Sequence, residues 1–150
     1  MKKFSFKLEQ LLKVKEGMEN LKKEELFKVK ARLEEEKNIL EGLETKKREI
    51  LNQKYERETD FVKAVEFIYF DNYYRKISEM IGIQRQKVNE AQKEYEDCLN
   101  NYLEAKKEKR TLEILKERKF RTFLEEYNRE EQKNLDEHGL IAFSRRDELN

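Results

Sequence analysis

The feature that most constrains this chain is its lack of helix breakers, since it contains no proline and only four glycines in 150 residues. Proline and glycine interrupt helices and form turns, so a chain nearly free of both has few places to reverse direction. Asp, Glu, Lys and Arg make up 45% of the residues. Charged residues of this kind, together with Leu and Gln, are mostly good helix formers. The composition therefore predicts long helices or a coiled coil.

The apolar content and the charge balance limit what such helices can build and bind. Hydrophobic residues make up 37% of the chain, which favours a narrow apolar seam over a three-dimensional core. Nine Phe and seven Tyr residues argue against disorder, because disordered segments contain few aromatics. The formal net charge is only +1, so the chain lacks the one-signed field of a nucleic-acid-binding protein.

Apolar residues recur in alternating steps of three and four along two stretches of the chain. Six of eight positions are apolar in the first stretch, which consists of Leu26, Val29, Leu33, Glu36, Leu40, Leu43, Lys47 and Ile50. Nine of eleven are apolar in the second stretch, which consists of Ile77, Ile81, Gln84, Val88, Ala91, Tyr95, Cys98, Tyr102, Ala105, Lys109 and Leu112. A spacing of about 3.5 residues places these side chains on one stripe of a helix and is typical of a left-handed coiled coil.

The two seams predict an all-α fold, in which two long helices pair as an antiparallel coiled-coil hairpin that forms a single domain. We expect helix 1 over about residues 4–56, a turn at about 57–62 and helix 2 over about 63–135. The turn is placed there because the first seam weakens before it. Thr59 and Asp60 are also good N-cap residues for a new helix.

Two other positions could hold the turn, and the end of the chain departs from the pattern. Asp71-Asn72 is one alternative turn, and Gly82 is a weaker one. The tail over 136–150 loses the seam at Gly139. Terminal residues without packing partners are often poorly ordered, so we expect this tail to fray.

No motif in the sequence indicates catalysis, and we expect no catalytic residue, no cofactor and no metal site. The chain has no glycine-rich phosphate loop and no zinc, dithiol or serine-hydrolase motif. Cys98 falls on the second seam, where a cysteine usually acts as a small apolar side chain. His138 is the only histidine and is flanked by Asp136, Glu137 and Gly139. A solvated or capping role is expected for it, because a metal site needs several ligands.

The chain also lacks the apolar segments that target or anchor proteins in membranes. Its basic start is followed by a stretch that charged residues interrupt, so it does not resemble a signal peptide. No run approaches the roughly 20 apolar residues of a transmembrane helix. We therefore expect a soluble, cytoplasmic protein that does not insert into a membrane.

Three stretches together resemble one protein family. The opening contains Phe4-x-Phe6-x-Leu8 followed by Leu11-Leu12, the middle contains the aromatic run FIYFDNYYRKI from Phe67 to Ile77, and the third stretch is Leu112-Glu113-x-Leu115-Lys116-Glu117-Arg118. In combination, and over nearly the whole length of the chain, these stretches resemble FliJ, the coiled-coil component of the bacterial flagellar protein export apparatus.

The resemblance implies a set of partners and a place in the cell that the periodicity does not. FliJ proteins are stalks that insert into the hexameric flagellar export ATPase, and their fold is similar to the central-stalk γ subunit of rotary ATP synthases. The family also contacts the cytoplasmic domain of the export gate and helps to handle export chaperones. By resemblance, we expect a cytoplasmic protein that associates peripherally with the inner membrane at the flagellar base.

The stretches that carry the resemblance supply the candidate binding residues. The candidates for contact with the ATPase are Phe4, Phe6, Leu11, Leu12, Leu115, Arg118, Phe123 and Tyr127. The candidates for contact with the gate or a chaperone are Phe67, Tyr69, Phe70, Tyr73 and Tyr74. Core packing is the alternative role for Phe67, Phe70 and Tyr74, because the second seam extends back through them.

Two other functions fit a coiled-coil hairpin. One is a structural coiled-coil scaffold or spacer, although such a protein needs no aromatic cluster. The other is the equivalent stalk protein of a virulence type III secretion system, which would share the fold. An enzyme is the class that the sequence disfavours most, because the chain offers no catalytic chemistry.

Overall fold

A computed structural model describes residues 2–58 and 64–149 of the chain. These ranges contain two α-helices, α1 over Glu9–Glu58 and α2 over Ala64–Glu148, and no strand. The two helices pack against each other as an all-α hairpin. The predicted fold class is therefore confirmed.

Contacts along the helices divide the chain into two compact units. The terminal unit joins the residues up to Met18 with those from Ala105 onward, and the middle unit spans Glu19–Glu104. Each unit contains a stretch of α1 and a stretch of α2. The helices therefore pair within each unit.

The two predicted seams form the packed faces of the helices. All eight positions of the first seam and all eleven of the second are buried or half-buried. Leu33 and Ile50 of α1 are only 4% and 6% exposed, and Ala91 of α2 is completely buried. The heptad pattern therefore identified the buried stripe of each helix correctly, because side chains three and four residues apart lie on the same face.

A cluster of isoleucines shows that the helices run antiparallel in the middle unit. Ile50, near the end of α1, packs with Ile77 and Ile81, which lie early in α2. The half-buried hydrophobic residues that pack against this cluster are Leu40, Leu43, Phe70 and Tyr74. Full burial of an isoleucine side chain stabilises a fold by about 1.5–3 kcal/mol, so this cluster contributes strongly to the pairing.

One polar layer interrupts the apolar seam of the middle unit. Gln84 is only 6% exposed, and its side-chain amide donates to the backbone carbonyl of Glu36 at 3.0 Å. The same amide also donates to the Glu36 carboxylate. A buried polar group costs free energy unless it is hydrogen-bonded, so a shifted pairing that separated these residues would be penalised.

The start of the first helix differs from the prediction. α1 begins at Glu9 rather than near residue 4, and residues 2–8 are not helical. Phe4 and Phe6 pack toward α2 instead of continuing the helix. Contacts with α2 therefore outweigh the helix propensity of this segment. The sequence pattern alone does not reveal these contacts.

The prediction that the second helix ends near residue 135 is wrong, because α2 continues through Glu148. Gly139 lies inside the helix, and a Cβ added there would meet no other atom within 4 Å. Residues 128–149 are nevertheless exposed throughout. The loss of the seam therefore marked the end of packing rather than the end of the helix, since one glycine costs only about 1 kcal/mol relative to alanine.

The position of the turn falls on a part of the chain that the structure does not describe in full. Thr59 and Asp60, the expected N-cap residues, lie outside the described residues, as does most of the predicted turn at 57–62. The alternative turns at Asp71-Asn72 and at Gly82 are excluded, because α2 is helical from Ala64 through both of them.

Replacement of Ile81 by alanine tests the contribution of the isoleucine cluster. Ile81 is 3% exposed, whereas the neighbouring Met80 is 45% exposed. We expect Ile81→Ala to lower the free energy of unfolding by about 2–4 kcal/mol, because it leaves a cavity in the seam. Met80→Ala is the matched control and should change it by about 0.5 kcal/mol or less. Urea unfolding followed by circular dichroism measures both, and equal losses would contradict this assignment of the core.

Candidate partner-binding surfaces

The segment that precedes α1 packs against α2 in the terminal unit through an aromatic cluster. The ring centroid of Phe4 lies 5.1 Å from that of Phe120, at an interplanar angle of 70°. It also lies 5.6 Å from the ring centroid of Phe123, whose own ring stacks on Tyr127 at 6.2 Å. Edge-to-face and offset aromatic pairs of this kind contribute about 0.5–1.5 kcal/mol beyond the area that they bury.

Polar contacts fix the direction of this segment as it enters α1. The backbone N–H of Glu9 donates to the carbonyl of Phe6 at 3.1 Å. The carboxylate of Glu9 lies in the first turn of the helix, where negative charge is favourable, and it pairs with Lys116 Nζ at 2.8 Å. Lys2 lies 3.5 Å from Glu130 across the same unit. The segment is therefore held at both of its ends.

The segment that precedes α1 and the facing part of α2 form an open groove, which we call the terminal groove. It is lined by residues 2–8 of the segment and by Leu115, Lys119, Thr122, Phe123 and Glu126 of α2. Its volume is about 830 Å³. Three lysines of the segment and one of α2 lie among its lining residues, against a single carboxylate. The groove therefore combines an aromatic floor with a basic rim.

Four of the residues predicted to contact the ATPase line this groove, and a fifth lies beside it. Phe4, Phe6, Leu115, Phe123 and Tyr127 are all half-buried on the terminal unit. Tyr127 lies beside the groove, where it stacks on Phe123.

The other three predicted residues differ in exposure. Arg118 is exposed and Leu11 is 41% exposed. Leu12 is only 4% exposed, so its side chain supports the helix pair and is out of reach of a partner. Sequence analysis missed Phe120, which contacts Phe4 and is 43% exposed. Its spacing of three residues from Phe123 was the available signal, because residues so spaced share a helix face.

The aromatic run at the start of α2 divides between the core and the surface. Phe70 and Tyr74 pack against the isoleucine cluster of the middle unit. Tyr69 and Tyr73 are 70% and 43% exposed. Val65 and Ile68 are exposed beside these two tyrosines. We call the face of α2 formed by Val65, Ile68, Tyr69 and Tyr73 the aromatic surface.

Lysines of α1 lie over two aromatic rings of the run. Lys54 Nζ lies 4.5 Å from the ring centroid of Phe67, and Lys47 Nζ lies 5.2 Å from that of Tyr74. Core packing was the alternative role for Phe67, Phe70 and Tyr74. Phe67 remains 44% exposed, so it is the residue of these three that is not packed in the core. Cation–π contacts contribute about 0.5–1 kcal/mol at exposed sites, and here they join the two helices beside the aromatic surface.

Comparison with known protein families identifies the chain. A family model described as the flagellar FliJ protein matches residues 4–148. The chain belongs to the FliJ family. The resemblance carried by the opening, the aromatic run and the Leu112–Arg118 stretch is thereby confirmed, and FliJ membership supports a role in flagellar or type III protein export. Comparison with curated proteins gives no match.

A solved structure shares the fold of this FliJ protein. It is that of CT670 from Chlamydia trachomatis, which is described as a homologue of YscO. The two chains are 20% identical and superpose with a TM-score of 0.58, over 99% of this chain and 100% of the other. At this level of identity the likeness concerns the fold alone.

Two further observations concern the described part of this FliJ protein. Neither of its helices has a stretch long and apolar enough to cross a membrane. Within residues 2–58 and 64–149, no group of three or more His, Cys, Asp or Glu side chains is arranged to hold a metal ion.

The phenol of Tyr127 offers a local test of the terminal unit. Tyr127 Oη donates to Glu131 Oε1 at 3.0 Å, and this hydrogen bond, together with the negative charge of Glu131, raises the pKa of Tyr127 above its ordinary value. We expect Glu131→Gln to lower the pKa of Tyr127 toward about 10, because the carboxylate no longer disfavours the phenolate. NMR titration of the Tyr127 ring measures the shift. Glu125→Gln is the control, and an equal shift in both variants would contradict the pairing.

Proposed function

We propose that this FliJ protein is a non-catalytic stalk of the flagellar export apparatus that binds the hexameric export ATPase through the terminal groove. The aromatic surface is proposed to bind the cytoplasmic domain of the export gate or an export chaperone. FliJ membership over residues 4–148 supports the export role. The observation that carries the proposal is the terminal groove itself, in which aromatic residues that the family resemblance singles out lie together.

The chemistry of the terminal groove suits a protein partner. Interfaces bind most strongly through a few aromatic or arginine side chains in a desolvated centre, surrounded by a polar rim. Phe4 and Phe123 are already in contact before any partner arrives, so binding loses less side-chain entropy than it would with mobile rings. The basic rim favours a partner whose facing residues are apolar and acidic, because opposite potentials increase the association rate.

The aromatic surface has the composition of a second interface. Tyr69 and Tyr73 lie four residues apart on α2, so they share a helix face. A tyrosine presents both an apolar ring and a hydroxyl, and exposed apolar patches often mark interaction sites. The contacts of Phe70 and Tyr74 with the isoleucine cluster hold the same helical turn in place. A partner therefore meets a surface that is already ordered.

Binding at two surfaces lets the protein influence its partners without chemistry of its own. A stalk that contacts some conformations of a ring subunit better than others shifts their populations by that difference in affinity. If a gate or chaperone also changes the stalk, the two binding events are linked reciprocally. ATP hydrolysis is assigned to the ATPase alone. We place the protein in the cytoplasm at the flagellar base, where the partners would hold it at the inner membrane.

A virulence type III secretion system is the second candidate setting. The fold shared with CT670, which is described as a YscO homologue, favours it. The same surfaces would then meet the ATPase and gate of that system. The flagellar setting has the stronger support, because the family match is to the flagellar FliJ protein. A simple scaffold is disfavoured, since it gives no role to the exposed Tyr69 and Tyr73.

Phe4→Ala tests the proposed ATPase contact. The variant removes the ring that packs on Phe120 and Phe123, and we expect the affinity for the flagellar export ATPase to fall about tenfold or more, as for the loss of a central interface aromatic. Phe27→Ala is the matched control, because Phe27 is 60% exposed and lies on α1 in the middle unit. Circular dichroism checks that both variants remain helical. Unchanged binding by Phe4→Ala would refute this assignment.

Photo-crosslinking from position 69 tests the aromatic surface. A benzophenone side chain at Tyr69 should crosslink to the cytoplasmic domain of the gate or to an export chaperone, since this position is 70% exposed within the apolar face. The same group at Leu103, which is 50% exposed, is the control. Adducts with the ATPase alone, or equal yields at the two positions, would count against the proposed role of this surface.

A further inference from the structure

The last stretch of α2 exposes apolar side chains that neither proposed binding surface uses. Leu140 and Ile141 are 68% and 51% exposed. Together with Ser144, Arg145 and Glu148 they surround a shallow depression on one side of the helix. Residues 128–149 are exposed throughout. This part of α2 is therefore a helix with an available face.

The exposed face continues the face through which α2 already packs. From Phe123 and Tyr127, which are half-buried beside the N-terminal segment, alternating steps of three and four lead along α2. The positions reached in this way are Glu130, Asn134, Glu137, Ile141, Ser144 and Glu148. Such a spacing keeps side chains on one stripe, as in the seams. The stripe is thus contiguous with an established helix-packing face, although most of its later members are polar.

The charges of this stretch are complementary to those of a second copy of the same stretch that runs antiparallel to it. Glu137 lies four residues before Ile141, and Arg145 lies four residues after it. Two antiparallel copies of the helix centred on Ile141 would therefore place an acidic residue opposite a basic one on both sides of the centre.

The orientation follows from the same charges. A two-fold axis makes every contact occur twice, so Glu137 of each copy faces Arg145 of the other while the two Ile141 side chains meet on the axis. Asn134 and Glu148 are likewise equidistant from Ile141 and can pair amide with carboxylate. A parallel arrangement would instead place Glu137 against Glu137 and Arg145 against Arg145, which is unfavourable.

We infer that the end of α2 is a self-association site, at which a second copy of this chain binds antiparallel with Ile141 at the centre. The apolar part of this interface is small, so the dimer is weak and forms when copies are concentrated or held close together. Exposed ion pairs are screened by salt, so the dimer weakens as the ionic strength rises. This inference does not depend on the proposed ATPase and gate contacts.

Charge reversal tests the pairing with the full-length chain. Sedimentation analysis over concentrations up to about 1 mM should show a monomer–dimer equilibrium. Glu137→Arg and Arg145→Glu should each abolish it, because each single variant places like charges opposite each other twice. The double variant should restore it. An equimolar mixture of the two single variants should also associate. In the mixed dimer one contact joins the two reversed residues and the other joins the two native residues, so both contacts pair opposite charges.

Position-specific crosslinking tests the centre of the pair. In a Cys98→Ala background, Ile141→Cys should form an intermolecular disulfide on mild oxidation, since the two-fold axis brings this position against itself. Phe143→Cys is the matched control. Phe143 is 66% exposed in the same stretch, but residues two positions apart point to different sides of a helix.

Three results would overturn the inference. They are a chain that remains monomeric at about 1 mM, a dimer that single charge reversals leave unchanged, and equal crosslinking at positions 141 and 143. Circular dichroism of every variant, compared with the unmodified chain, shows that a loss of dimer does not come from a loss of helix.

Discussion

The narrow seam between α1 and α2 is the interaction on which the described structure depends. Lys and Glu are good helix formers, but most of the stability of helices in proteins comes from the packing of an apolar stripe. In the part of the chain that the structure describes, only six hydrophobic residues, Leu12 and Leu33 among them, are buried. A hairpin of this kind therefore depends on a few well-placed side chains, and the cluster of Ile50, Ile77 and Ile81 is the most concentrated example.

The narrow seam explains why so many large apolar side chains remain at the surface. A two-helix interface encloses one stripe on each helix, so an aromatic residue one step off the stripe stays exposed. Phe70 and Tyr74 lie on the stripe and pack with the isoleucines, whereas Tyr69 and Tyr73 do not. The same geometry that limits the core thus supplies the aromatic surface, so the proposed binding surface and the core use adjacent residues of α2.

The sequence predicts those parts of the structure that follow from the heptad repeat. It does not predict features that depend on a single contact between distant residues. The heptad identified every seam position from Leu26 to Leu112, because burial there depends only on helix periodicity. It could not show that Phe4 leaves the helix to pack on Phe120, since that contact joins residues far apart in the chain. It also equated the end of packing with the end of the helix, although Gly139 was tolerated inside α2.

The candidate site was predicted in part for the same reason. The family resemblance singled out Phe4, Phe123 and Tyr127, and the fold brings them together. The resemblance also included Leu12, which is buried in the helix pair. A short motif cannot distinguish a side chain that meets a partner from one that supports the helix beneath it, because both are apolar and lie close in sequence. The packing in the structure distinguishes these two roles. It leaves the stacked aromatic rings and the basic rim of the terminal groove as the features that a proposed partner can reach.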